Sequence, residues 1–167
     1  AGAGNDGYRV RLGRQVAVGL RIQDSGNDPR DFLSVTAPEF TDADVLINDN
    51  TVTFTSLFVG QAIGGQKPRA VVTRAVAHSG LPLIEVNTGG GNNKIVVDRS
   101  SGPSLSTRVW GGPDNDEFDV TALGEVVLNG GQGNDSYLVN YAFGTSNIQV
   151  NDPVVDDVDS LRVNDAA

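Results

Sequence analysis

The chain contains no cysteine and no methionine among its 167 residues, and it has a single histidine, His78. It can therefore form neither a disulfide nor a thiolate metal site, and it lacks the several histidine or cysteine ligands that a zinc site needs. No apolar run approaches the roughly 18 residues that mark a membrane-spanning helix, so no such helix is predicted.

Basic residues are also scarce: 12 Lys and Arg stand against 21 Asp and Glu, which gives a net charge of −9. Residues 1–108 carry a net charge of +1 and residues 109–167 one of −10, because Arg162 is the only basic residue of the second segment. Without a basic stripe, nucleic acid is not an expected partner. The acidic segment repels itself when it is compact, and bound cations would relieve that repulsion.

Glycine, in contrast, is abundant, and part of it falls in a repeated nonapeptide. Residues 130–138 read GGQGNDSYL and fit the pattern G-G-x-G-x-D-x-U-x, where U is a large apolar residue, at every defined position. Residues 111–119, GGPDNDEFD, depart from it only at the fourth position. Residues 88–96, TGGGNNKIV, carry asparagine in place of the aspartate, and residues 1–9, AGAGNDGYR, have alanine for the first glycine.

Each part of this pattern suits a divalent cation. Glycine permits positive φ and close approach of the backbone, while the aspartate and the loop carbonyls supply the oxygen ligands that Ca²⁺ binds at about 2.3–2.6 Å. Strands stacked about 4.8 Å apart leave an ion between two loops about 2.4 Å from each, which fits Ca²⁺ better than the strictly octahedral Mg²⁺. For any single copy, an ordinary turn of Gly, Asn and Asp is the alternative.

The four nonapeptides resemble the repeats of the RTX, or haemolysin-type, calcium-binding family, in the degenerate form of large bacterial surface proteins. The resemblance implies a right-handed parallel β-roll in which motif aspartates and loop carbonyls hold Ca²⁺ between successive turns. Because the motifs are separated along the chain and not in tandem, we expect one to three ions. The metal-binding residues that the resemblance implies are Asp6, Asn93, Gly111, Gly112, Asp114, Asn115, Asp116, Gly130, Gly131, Gly133, Asn134 and Asp135.

Short valine-rich segments bounded by Gly, Asn, Asp or Pro run through most of the chain, and no window keeps a helical period. Polar turn residues recur at intervals of roughly 22 residues: Asp6, Asp28 and Asp49, then Asn93, Asp116, Asp135 and Asp159. This spacing predicts one all-β domain over residues 1–167, a parallel β-solenoid of about seven coils. A β-sandwich is the alternative. Residues 59–68 are predicted to form a protruding loop, and the sequence leaves open whether residues 32–87 belong to the same solenoid.

No catalytic constellation is evident, because His78 and Ser79 are adjacent and would point to opposite faces of a strand. We therefore expect a non-enzymatic, calcium-stabilised structural or adhesive module of a secreted or cell-surface bacterial protein. We expect it to be a fragment of a longer repeat protein that contacts neighbouring copies or repeats. One alternative is the C-terminal RTX export domain of a secreted enzyme. The other is a glycan- or ice-binding module, for which the alternating Thr51, Thr53 and Thr55 form one short row.

Overall fold

A computed structural model of the chain describes residues 4–13, 20–24, 28–40, 42–59, 69–100, 105–141, 146–152 and 157–165. All regular structure in these residues is β-strand, and none of them forms a helix that could cross a membrane. The strands are β1 (Gly7–Arg11), β2 (Leu20–Gln23), β3 (Phe32–Thr36), β4 (Asp44–Asn48), β5 (Thr51–Val59), β6 (Arg69–Ser79), β7 (Leu83–Asn87), β8 (Lys94–Arg99), β9 (Ser106–Pro113), β10 (Glu117–Ala122), β11 (Gly124–Gln132), β12 (Ser136–Tyr141), β13 (Ser146–Val150) and β14 (Ser160–Asp165).

The strands form two sheets, and each coil of the chain contributes to both. Coils are numbered from the N-terminus by their strand in the six-stranded sheet: β1 lies in the first coil, β3 in the second, β7 in the third, β9 in the fourth, β11 in the fifth and β13 in the last. The six-stranded sheet has the order β1, β3, β7, β9, β11, β13, and the eight-stranded sheet has the order β14, β12, β10, β8, β4, β5, β6, β2. All pairs in the first sheet are parallel, as are those that link β4, β8, β10, β12 and β14 in the second. The fold is therefore the predicted parallel β-solenoid, with about five turns, and this pairing rules out the β-sandwich.

Inward-facing apolar side chains form columns along the solenoid axis, because equivalent residues of neighbouring strands lie opposite one another. One fully buried column of the six-stranded sheet consists of Val35, Val86, Val109 and Leu128. The large apolar residue of the nonapeptide forms another in the eight-stranded sheet, made of Ile95, Phe118 and Tyr137. The rings of Phe118 and Tyr137 stack with their centroids 4.9 Å apart. Burial of each such side chain contributes about 1.5–3 kcal/mol to folding.

An antiparallel hairpin enlarges the second turn of the solenoid. β5 pairs antiparallel with both β4 and β6, and β6 in turn pairs with β2 of the first coil. As a result the equivalent turn residues Ala43 and Asn93 are 50 residues apart in sequence, whereas Asn93 and Asp116 are 23 apart. The prediction of about seven coils is therefore wrong, because the hairpin occupies residues that the spacing assigned to further coils.

The predicted period is also wrong in the first third of the chain. Gly7 pairs with Phe32, so Asp31 and not Asp28 is the equivalent of Asp6 one coil on. Asp49 follows β4 and lies at the other edge of the solenoid. Within residues 32–87, β3, β4 and β7 belong to the solenoid. The predicted loop over residues 59–68 lies outside the described residues, apart from its first residue at the end of β5.

Substitution of Ile84 by alanine tests the inner face of the solenoid. Ile84 is fully buried between Leu33 and Thr107 of the neighbouring strands, so Ile84→Ala is expected to lower the free energy of unfolding by about 2–5 kcal/mol. Leu46→Ala, on the outer face of β4 where Leu46 is 39% exposed, is the control and is expected to cost less than about 1 kcal/mol. Equal losses in urea unfolding would contradict this assignment of faces.

Candidate metal centre

Three of the nonapeptide turns stack along one edge of the solenoid, where they join β7 to β8, β9 to β10 and β11 to β12. The described residues between β13 and β14 continue the stack in the last coil. Because the flanking strands are parallel and in register, equivalent turn residues of neighbouring coils come into contact. We call these residues the turn stack; in the described part of the chain they are 88–93, 111–116, 130–135, 151–152 and 157–159.

A ladder of aspartate and asparagine side chains connects the turns in one direction. From the third coil to the last, the Oδ1 atom of the last turn residue accepts a hydrogen bond from the backbone N–H of its equivalent in the preceding coil. The donor–acceptor pairs are Ala43 to Asn93 (3.0 Å), Asn93 to Asp116 (2.8 Å), Asp116 to Asp135 (2.7 Å) and Asp135 to Asp159 (2.9 Å). The motif aspartate therefore holds adjacent coils together through its first carboxylate oxygen.

A second ladder, one residue earlier in each turn, runs in the opposite direction. Here each side-chain Oδ1 accepts from the backbone N–H of the following coil. The pairs are Asn92 to Asp42 (2.8 Å), Asn115 to Asn92 (2.9 Å), Asn134 to Asn115 (2.7 Å) and Val158 to Asn134 (2.7 Å), with the donor given first. The side-chain oxygens of Asn115 and Asn134 are thus engaged in bracing neighbouring turns.

The glycines of the motif make room for these contacts. A Cβ at Gly111 or Gly130 would overlap the Oδ2 atom of Asp116 or Asp135 respectively, so the carboxylate packs directly on the glycine backbone. Gly112 and Gly131 adopt φ +111, and a Cβ there would overlap a carbonyl oxygen of the preceding coil. Packing therefore favours glycine at all four positions, and backbone conformation requires it in addition at Gly112 and Gly131.

The second carboxylate oxygen of the motif aspartates is buried without a hydrogen-bond partner in the described part of the chain. Asp116 is 2% exposed and Asp135 is 1% exposed, and the unpartnered atom is Oδ2 in both. Burial raises the pKa of Asp116 to about 7 and that of Asp135 to about 6, against the stabilising effect of the hydrogen bonds to the charged form. Each carboxylate needs either a proton or a cation.

Asn93 occupies the equivalent position in the third coil, and its amide carries no charge that a proton or a cation would have to neutralise. Its Nδ2 atom donates to Gly91 O at 2.8 Å, to Asp116 Oδ1 at 2.9 Å and to Thr88 Oγ1 at 3.2 Å. Its Oδ1 atom accepts from Ala43, so both ends of the side chain are used within the protein. In the third coil the amide nitrogen of Asn93 therefore lies among three oxygens, whereas the fifth coil has the carboxylate of Asp135 at the equivalent position.

At Asp135 the next coil brings two more carboxylates. One oxygen from each of Asp135, Asp152 and Asp159 lies within 4.8 Å of the other two. Oxygens bound to one Ca²⁺ at about 2.4 Å can be at most about 4.8 Å apart, so the three fit a single ion. The Tyr137 hydroxyl donates to Asp152 Oδ2 at 2.8 Å, and Asp152 Oδ1 is buried and unpartnered within the described residues. We call these three carboxylates the C-terminal cluster.

Asp152 occupies a turn position at which the two preceding coils have glycine. Leu128 pairs with Val150, so Asp152 is the equivalent of Gly130. In the preceding coil that position is Gly111, which has no side chain to offer. The Asp152 carboxylate stands where these glycines have no side chain, and it therefore points toward Asp135, the motif aspartate of the preceding coil.

The structure places some of the predicted metal-binding residues in the C-terminal cluster and others outside it. Asp135 lies in the C-terminal cluster and Asp116 one coil away, outside it. Asp114, with φ +77, accepts at Oδ2 from the Gly91 N–H at 3.1 Å, and the Gly133 N–H donates to Asp157 Oδ2 at 3.1 Å. Asp6 is at the opposite end of the solenoid, before β1.

Sequence reasoning did not assign Asp152 and Asp159 as ligands. Asp159 had a signal, because it stands 24 residues after Asp135 at the spacing of the coils. Asp152 had a weaker one: it lies outside any nonapeptide, and only the strand register places it on the position of Gly130.

His78 and the threonine row lie away from the turn stack. His78, in β6, is 4% exposed, and burial lowers its pKa to about 4, with Arg99 contributing in the same direction. It is therefore a packed, neutral side chain at neutral pH. Thr51, Thr53 and Thr55 alternate along β5. Thr55 lies opposite Thr73 in β6, but Thr53 lies opposite Leu46 and Ala75, so the row continues into a neighbouring strand at one position only.

Comparison of the chain with protein-family models, with curated proteins and with solved structures gave no match.

Gly130→Ala tests the packing of carboxylate on glycine. The added methyl group would overlap the Asp135 carboxylate and the Tyr137 hydroxyl, so we expect a loss of about 1–3 kcal/mol in the free energy of unfolding. Gly90→Ala is a matched control in the same stack, because its Cβ would meet only Pro113 at ordinary contact distance and its φ is not positive. If both variants unfold at the same denaturant concentration, the packing argument is wrong.

The raised pKa values predict that, without divalent cations, stability falls as the pH rises. Between the ordinary pKa of 3.8 and the folded-state value of about 7, Asp116 binds more protons in the folded than in the unfolded state. The free energy of unfolding should therefore drop by about 1–3 kcal/mol from pH 5 to pH 8. In Asp116→Asn, whose amide cannot ionise, the slope should be reduced and stability at pH 8 should equal or exceed that of the wild type. An unchanged slope would show that Asp116 is ionised throughout.

Proposed function

We propose that this protein is a calcium-stabilised structural module, in which Ca²⁺ bound at the C-terminal cluster fastens the last coil to the one before it. The observation that carries the proposal is the convergence of Asp135, Asp152 and Asp159 around buried oxygens that have no partner in the described residues. The proposed role is that of a spacer or adhesive element and not of an enzyme.

The chemistry of the cluster favours Ca²⁺. Its ligands are carboxylates, which are hard oxygen donors, and it contains neither sulfur nor imidazole. Three carboxylates carry up to three negative charges at close range, and no ion pair links them to a described Lys or Arg. Ca²⁺ accepts six to eight oxygens in flexible geometry, so bidentate carboxylates and water can complete its shell.

The site joins two coils that are otherwise held by strand pairing. Asp135 belongs to the fifth coil. In the last coil, Asp152 follows β13 and Asp159 precedes β14. An ion bound by all three would link the two coils at the edge where the chain turns. Binding to the folded state alone would add its binding free energy to stability.

The setting we propose is extracellular, at the surface of a bacterial cell or in its secreted material. Modules of this chemistry bind Ca²⁺ at millimolar concentrations, which are found outside cells. The resemblance of the nonapeptides to RTX repeats supports the same setting.

We further propose a neighbouring copy or repeat as the partner. Val158, Leu161 and Val163 of the last coil are 79%, 57% and 52% exposed. Leu161 and Val163 continue the inward-facing columns of Tyr137 and Val139, so another coil would bury them in the same way.

Removal of calcium tests the proposed function. At a Ca²⁺ concentration a hundredfold above Kd, one site adds about 2.7 kcal/mol, which corresponds to a rise in Tm of about 5–10 °C for a chain of this size. Asp152→Asn is expected to abolish the contribution of the C-terminal cluster while its amide oxygen keeps the hydrogen bond from Tyr137. Asp98→Asn, which changes an exposed carboxylate outside the turn stack, is the control. Thermal unfolding in Ca²⁺ and in EGTA measures the difference, and identical curves for the wild type would refute the proposal.

A further inference from the structure

A second group of three aspartates lies at the opposite end of the solenoid. Asp6 precedes β1, Asp24 follows β2 and Asp31 precedes β3. One carboxylate oxygen from each lies within 4.8 Å of the other two. These three residues, the N-terminal cluster, are separated from the turn stack by the body of the solenoid and belong to the first and second coils.

Unpartnered buried oxygens occur in this cluster. Asp31 is fully buried, and its Oδ1 atom accepts from the Asp6 N–H at 2.7 Å. Its Oδ2 atom is buried and has no hydrogen-bond partner in the described residues, and the same holds for Asp6 Oδ2. No described Lys or Arg forms an ion pair with Asp6 or Asp31. Burial of an ionised carboxylate without a counter-charge is strongly unfavourable, so a cation shared by these carboxylates would stabilise their charged form.

The N-terminal cluster has the same construction as the C-terminal one. In both, an aspartate two residues before a tyrosine donates its backbone N–H to the aspartate of the next coil, and the tyrosine hydroxyl donates to a third aspartate. The corresponding pairs are Asp6 and Asp135, Tyr8 and Tyr137, Asp31 and Asp159, and Asp24 and Asp152. In the N-terminal cluster the tyrosine bond is longer, 3.4 Å against 2.8 Å.

The two clusters are not related by the repeat of the coil. Tyr8 is in β1 of the six-stranded sheet, whereas Tyr137 is in β12 of the eight-stranded sheet. The same set of groups therefore occurs on different sheets, at opposite ends of the solenoid. Stacking of equivalent residues, which explains the ladders, does not explain this recurrence, whereas a common ligand does.

The N-terminal cluster lies at the junction of the first and second coils. In the eight-stranded sheet β2 pairs with β6, so the hairpin separates the first coil from β4 of the second. Among the described strands, β1 and β3 pair the two coils in the six-stranded sheet, whereas in the eight-stranded sheet β2 reaches the second coil only through the hairpin strand β6. The cluster draws residues from the starts of β1 and β3 and from the end of β2.

We propose that Asp6, Asp24 and Asp31 form a second Ca²⁺ site, which closes the first coil against the second where the hairpin has separated their strands. This inference rests on the calcium chemistry of the proposed function but not on occupation of the C-terminal cluster. The bound ion would be ligated by carboxylates of both coils, and Tyr8 would orient Asp24 as Tyr137 orients Asp152.

Calcium titration by isothermal calorimetry, on the full chain, on one variant of each cluster and on a control variant, tests the inference. We expect two ions in the wild type, one in Asp24→Asn/Asp31→Asn and one in Asp152→Asn, with two retained in the Asp98→Asn control. Asparagine at position 31 keeps the oxygen that accepts from Asp6, so the ladder contact is preserved. Two ions in Asp24→Asn/Asp31→Asn would overturn the inference.

The failures of the two proposals are distinguishable. A wild type that binds one ion, lost in Asp152→Asn, overturns the N-terminal site and leaves the proposed function intact. One ion lost only in Asp24→Asn/Asp31→Asn supports the N-terminal site and overturns the C-terminal one, and no binding overturns both. Should the N-terminal variant not fold, hydrogen exchange on Asp152→Asn replaces it: Ca²⁺ should slow amide exchange in β1–β3 at least tenfold, and unchanged exchange there overturns the inference.

Discussion

Contact between equivalent turn residues of neighbouring coils is the constraint on which this structure depends. Parallel strands in register repeat each position at about 4.8 Å along the axis, so a residue in one turn meets its equivalent in the next. In the turn stack this brings a side-chain oxygen to a backbone N–H in every coil. The two ladders of side-chain hydrogen bonds run in opposite directions, so each turn is bonded to the coil on either side of it. The glycines are fixed by the same contact, because the carboxylates pack on them.

Contact between the turns buries the last turn residue of the third, fourth and fifth coils, where a charge is unfavourable. These three successive coils reduce this unfavourable free energy in three different ways. Asn93 replaces the charge with an amide whose nitrogen lies among three oxygens. Asp116 has its pKa raised to about 7, so a proton neutralises part of the charge near neutral pH. Asp135 has two further carboxylates beside it, and of their three negative charges one proton would leave two, whereas a divalent cation would leave one. Of these three positions, only that of Asp135 lies in a group of three carboxylates that fits the proposed calcium site.

The sequence predicted the solenoid and the stacked turns because both follow from local signals. Glycine, Asn and Asp at fixed offsets mark the turns, and the large apolar residue of the motif marks the inner column, as Phe118 and Tyr137 confirm. The number of coils could not be predicted, since β5 and β6 have the same valine-rich alternation as coil strands and differ only in their antiparallel pairing. Asp152 and Asp24 could not be predicted either, because they approach the motif aspartates through strand register and not through sequence proximity.

The central claim is that carboxylates of adjacent coils share one calcium ion. Anomalous diffraction from crystals grown in calcium measures this most directly. The account predicts a calcium peak within about 2.6 Å of carboxylate oxygens of Asp135, Asp152 and Asp159. A map without that peak at saturating calcium, with these three carboxylates turned to solvent or hydrogen-bonded to each other through a proton, would contradict it.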